Sequence, residues 1–79
     1  MNMKINEFIQ QSLHDSGFQE NEINRFICLI ENGEKKTSYK LLKKQRCCLL
    51  DTIHSDQRMI DCLDYFIRKM MKEGFISNE

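Results

Sequence analysis

The 79-residue chain contains no proline, no tryptophan, no alanine and no valine, and only three glycines, at positions 17, 33 and 74. Without proline and valine, and with so few glycines, the usual punctuation of strands and hairpins is missing, and the long uninterrupted stretches suit helices. The expected fold is all-α. With no alanine, those helices cannot rest on intrinsic propensity and must be stabilised by burying an amphipathic face. No run of about 18 apolar residues exists and the start lacks a basic-then-apolar signal pattern, so the chain reads as cytoplasmic, with no membrane association. Lys plus Arg and Asp plus Glu both total 12, a balance that excludes a wholly basic nucleic-acid binder. A content of 41% hydrophobic and 9% aromatic residues is too apolar for intrinsic disorder. Residues 1–79 therefore make one small domain. A domain of this size hides only about 60% of its unfolded surface, and its core supplies roughly 3–5 kcal/mol, so some further support is expected.

What the chain does have is nine isoleucines and seven leucines, set at helical spacing. Ile5, Phe8, Ile9 and Leu13 form one stripe of a helix over residues 2–15, which Gly17 closes in a left-handed conformation with Phe18 packing behind it. Ile23, Phe26, Ile27 and Ile30 repeat the pattern over residues 20–31, with Glu20 and Glu22 at the anion-favouring start and Asn32-Gly33 at the end. The short connection predicts an antiparallel helical hairpin.

From Glu34 to Glu73 there is no glycine or proline, and Thr37 or Ser38 is a suitable N-cap for a helix over residues 38–72, roughly 50 Å long. Tyr39, Leu42, Arg46, Leu49, Ile53, Asp56, Ile60, Leu63, Ile67 and Met70 follow the alternating 3–4 spacing of a coiled-coil seam. In a parallel dimer Arg46 and Asp56 would each face their own copy, which is repulsive. An antiparallel homodimer centred near Asp51 instead sets Arg46 against the partner's Asp56, with Tyr39, Leu42, Leu49, Ile53, Ile60 and Leu63 completing the interface. The basic segment 34–46 then meets the acidic segment 47–64 of the other copy. The alternative is a monomeric bundle in which the helix breaks near His54-Ser55-Asp56 and Ser55 caps a fourth helix.

Gly17-Phe18-Gln19-Glu20-Asn21-Glu22-Ile23 resembles the turn that opens the second hairpin helix of MerR-type transcription regulators. That resemblance implies a hairpin followed by a long helix forming an antiparallel two-helix coiled coil. It extends over most of the chain but includes no counterpart of the family's winged helix-turn-helix, so no DNA-reading residue carries over. It implies an accessory protein that pairs with itself or with a full-length regulator.

The rest of the chain points away from catalysis and cofactors. No nucleophile with a base and an orienting group, no phosphate-cradling glycine loop and no paired carboxylates in one pocket can be assembled from spacing, so the chain is read as a non-enzymatic interaction protein with no cofactor. The four cysteines lack zinc-site spacing. Cys28 is expected to be buried, and Cys62 to flank the seam. Cys47, Asp51 and His54 line one helix flank and are the one conceivable metal trio, against the simpler reading of a solvated face with a free thiol. His14 suits the end of its helix. Phe66, Met70 and Met71, with Phe75 and Ile76, form an adaptable apolar group that either binds a partner or packs in the core. The five-residue tail that includes Ser77, Asn78 and Glu79 is read as frayed. The second functional reading is a nucleic-acid binder using Lys35, Lys36, Lys40, Lys43 and Lys44 on phosphates, against a solvated and paired helix face.

Overall fold

The computed structural model describes the backbone of residues 3–51 and 57–78 and the side chains of 5–51 and 57–78. Among them are four helices and no strand: α1 (Met3–Asp15), α2 (Glu20–Glu31), α3 (Lys35–Asp51) and α4 (Gln57–Lys72). None of these helices is long and apolar enough to cross a membrane.

α1 stops because Gly17 adopts φ +84°, and the turn that follows closes in a Schellman motif: the Gly17 N–H donates to His14 O at 3.1 Å and the Phe18 N–H to Leu13 O at 3.0 Å. Phe18 is thereby turned into the core. α2 opens with the Gln19 N–H donating to Glu22 Oε1 at 3.0 Å, while Glu20 and Glu22 complement the helix dipole.

α3 begins at Lys35, three residues before the expected start, and Ser38 is no N-cap. Its side chain is wholly buried, and its hydroxyl donates back to Glu34 O at 2.7 Å. A small residue with an internally satisfied hydroxyl can occupy an interior helix position where a larger polar side chain could not.

The expected single helix over 38–72 is replaced by the pair α3 and α4, which pack against each other. Within one helix Arg46 and Asp64 would stand about 27 Å apart. In the structure Arg46 Nε donates to Asp64 Oδ1 at 2.7 Å. The molecule is 35 Å in its longest dimension, too short for a straight 35-residue helix of about 50 Å. The reason is burial: Leu42, Leu49, Leu63 and Met70 enter one core together with the hairpin, which an extended helix would leave half-covered. The arrangement is the four-helix alternative, although the expected break at His54-Ser55-Asp56, with its Ser55 cap, lies outside the described residues.

The helices form a ring in which α1 packs on α2, α2 on α3, α3 on α4 and α4 on α1. Contacts at two levels set directions. Arg46 meets Asp64 while the Ser77 N–H donates to Lys35 O at 3.3 Å, and Phe8 meets Phe66 while Cys62 Sγ lies 3.6 Å from Ser12 O. Hence α4 runs antiparallel to both α3 and α1, as in an up-and-down bundle. Ser77 is consequently paired with α3 rather than frayed, and Ile76 beside it is buried. The turn at Gly74, φ +81°, directs this return: the Phe75 N–H donates to Met70 O at 3.0 Å.

Phe66 occupies the centre. It is fully buried, with its ring centroid 5.6 Å from that of Phe8 on α1 and 5.7 Å from that of Phe26 on α2. Such tilted ring pairs add to the apolar burial of each side chain. Phe66→Ala is expected to cost about 3–5 kcal/mol, comparable with the whole stability of a domain this small. Urea titration followed by circular dichroism should show no cooperative transition for that variant; a stable, cooperatively unfolding Phe66→Ala protein would place the core elsewhere.

Candidate functional site

The folding-back of α4 sorts the seam residues into two sets. Leu42, Leu49 and Leu63 point inward and are buried, as are Phe66 and Met70, so these five serve the chain's own core. Tyr39 and Ile60 are half-buried against that core, and Met71 is exposed. Ile53 and Asp56 lie outside the described residues. Within the chain the Arg46 guanidinium is held by Asp64, through Nε at 2.7 Å and Nη2 at 3.3 Å. The Asp64 hydrogen bonds, and then its charge, raise the Arg46 pKa above the usual arginine value. Both side chains remain about one-third exposed, at 33% and 35%, so the pair closes the outer edge of the α3·α4 contact rather than lying within the core.

This pairing sets a register that differs from the expected one. With Arg46 opposite Asp64 and Lys35 opposite Ser77, the lysine-rich start of α3 lies beside the end of α4 instead of beside its acidic first half. Within the chain the two charge segments meet at Arg46 and Asp64 alone among the described ion pairs, and the lysines at the start of α3 lie beyond the acidic stretch of α4. Packing decides the register because the apolar side chains of both helices must reach Phe66 and its neighbours, whereas solvated charges contribute little.

A second contact fixes the hairpin turn to α3 and α4. Gln45 Nε2 donates to Ser16 O at 3.0 Å, and a side chain at Gly17 would start 2.7 Å from Met59 Cε and 3.3 Å from Gln45 Nε2. The Gly17-Phe18 turn is thus both a helix terminator and the place where the first hairpin docks on the second. Sequence spacing shows the terminator, but not that Gln45 reaches it from 29 residues away.

The cysteines take unexpected places. Cys28 is exposed instead of buried, because two residues beyond Phe26 is about 200° round the helix from the buried stripe. Cys47 and Cys48 are exposed on α3, and Cys62 is half-buried between α4 and α1. Cys47 and Asp51 both face solvent one turn apart, while His54 lies outside the described residues. Among the described residues no three His, Cys, Asp or Glu side chains converge on a point where a metal could sit. An open groove between α1 and α2 is lined by Glu7, His14 and Glu20 among others, without an arrangement of nucleophile and base.

The basic segment keeps its five lysines outside: Lys35, Lys36, Lys40, Lys43 and Lys44 are all exposed, and Lys43 lies 5.8 Å from the Tyr39 ring centroid, at cation–π distance. Comparison with known protein families, curated proteins and solved structures finds no match to this chain.

These exposures make a chemical prediction. Under non-denaturing conditions a thiol reagent such as Ellman's should modify Cys28, Cys47 and Cys48 rapidly and Cys62 slowly, giving two phases in a ratio of three to one. Single-phase modification of all four would mean that α4 does not lie against α1 at Cys62.

Proposed function

We propose that the protein is a non-enzymatic helical interaction module whose partner is a second copy of itself, formed by exchanging α4 between copies. The observation that supports this reading is the Arg46–Asp64 contact with the apolar pairing beneath it, because it joins two helices from one stretch that contains no glycine or proline. Nothing in such a contact depends on which copy supplies α4. Leu42 and Leu49 of one chain can lie on Leu63 and Met70 of another, with Arg46 against the other chain's Asp64, and each bundle is completed as before. Domain exchange of this kind is a low-cost route to a two-fold dimer, since the interface is the native core contact used between chains. It also supplies the antiparallel dimer and the further stabilisation that a 79-residue chain invites.

The Gly17–Ile23 resemblance to MerR-type regulators extends the proposal to a second class of partner. A regulator with the same hairpin and following helix would exchange into the same pairing, and the protein would act as its accessory.

Charge reversal separates exchange from a closed monomer. Arg46→Asp and Asp64→Arg each set like charges at the contact and should each lower the melting temperature. When the two variant chains are mixed, an exchanged heterodimer brings both substituted side chains together at one contact, where they again carry opposite charges. Its other contact keeps the original Arg46 against Asp64. The mixture should therefore melt above both parents, with the heterodimer seen by native mass spectrometry under reducing conditions. A mixture that remains monomeric and melts as its two components contradicts the proposal, because a repair made between chains is the only one that mixing can provide.

A further inference from the structure

A net charge of zero conceals a clustering that appears only when α4 folds back. The first ten residues of α3, 35–44, carry five lysines and no acidic residue. The last six residues of α4, 67–72, carry Arg68, Lys69 and Lys72, again with no acidic residue. On one continuous helix Lys36 and Lys72 would stand about 54 Å apart. The hydrogen bond from the Ser77 N–H to Lys35 O instead brings the end of α4 to the start of α3. All eight cationic side chains are exposed. Of these eight, only Lys69 has an ion-pair partner among the described residues, Glu73 at 3.9 Å, and Lys43 has the Tyr39 ring. Glu34 and Glu73 border the cluster in sequence and Glu31 ends α2 at the same end of the bundle, while Asp15, Glu20, Glu22, Asp51 and Asp61 lie at or near the opposite helix termini.

We infer that this two-helix basic end is a binding surface for the phosphate backbone of duplex nucleic acid. Three physical points carry the choice. Lys35 and Lys36 occupy the first turn of α3, where the helix dipole is already positive, so they oppose their own helix and a bound anion would relieve them. The surface is built from lysines, which protein–protein interfaces tend to exclude and phosphate backbones accept. Its shape is two rows of cations, the longer about 15 Å, on antiparallel helices about 8–10 Å apart, an extent suited to a run of phosphates rather than to one small anion. No base-reading motif accompanies the rows, so binding is independent of sequence. Exchange of α4 between copies would leave both basic ends intact, and the inference stands or falls separately from that reading.

The test is fluorescence anisotropy with a labelled duplex DNA of about 20 base pairs of arbitrary sequence, between roughly 50 and 200 mM salt. With about six to eight cations engaged, the logarithm of affinity should fall against that of salt with a slope of about −5 or steeper. The doubly neutralised variant R68Q/K72Q should lower the slope by about 2, and K40Q/K43Q by a similar amount. All four positions are exposed, and circular dichroism of each variant verifies the fold. Undetectable binding at the lowest salt overturns the inference. An R68Q/K72Q slope equal to that of the unmodified protein overturns the two-helix surface. Capture of polyglutamate but not of duplex DNA would assign the end to an acidic polypeptide and overturn it as well. Sedimentation of the same samples without DNA reports the oligomeric state, so loss of DNA binding in a dimeric protein is distinguished from loss of the dimer.

Discussion

The seat of Phe66 between Phe8 and Phe26 is the contact on which the rest of this molecule depends. It ties α4 to both helices of the first hairpin, and it sits where a small domain has no apolar area to spare. Once α4 is held there, α3 can cover the remaining face only by lying antiparallel beside it, with Leu42 and Leu49 directed inward. The Arg46–Asp64 pair, the return of Ser77 to Lys35 and the docking of Gln45 on Ser16 all follow from that placement. These polar contacts set register and direction. The apolar burial at Phe66 supplies the driving force, because surface ion pairs of this kind are worth little by themselves.

Much of the helical character was legible in the residues. The stripes at Ile5–Leu13 and Ile23–Ile30, and the closure at Gly17, follow from spacing and from one glycine's tolerance of positive φ. Between Glu34 and Glu73 spacing alone does not determine the architecture. A 3–4 repeat states which side of a helix is apolar but not whether its partner is another chain or a later stretch of the same one, and the absence of glycine and proline favoured continuity. Arg46 and Asp56 looked like the informative polar pair because both fell on the seam. Asp64 lies beside the seam, on the flank that becomes the α3·α4 edge only after the chain folds back. Cys28 lies outside the core because Ile27 beside it is already at the margin of the stripe. Of the basic end only the five lysines of α3 were legible, since the start of α3 and the end of α4 become neighbours only through tertiary structure.

The two proposed surfaces arise from the same constraint. Holding α4 against α1 and α2 exposes the edge at Arg46 and Asp64, where one copy's helix can be exchanged for another's. It also gathers the cations of α3 and α4 at one end, giving a neutral composition an uneven surface charge. If the proposed exchange and the proposed basic surface both hold, a small chain of this kind is physically suited to act by occupying or bridging other molecules.

The measurement closest to the centre of this account is the set of aromatic nuclear Overhauser effects of Phe66 in the labelled protein. Cross-peaks from its ring to the rings of both Phe8 and Phe26 are predicted, consistent with centroid separations of 5.6 and 5.7 Å, whether α4 comes from the same chain or from a second copy. A Phe66 ring that contacts neither would contradict the placement of α4, and with it the register, the exchange and the basic end.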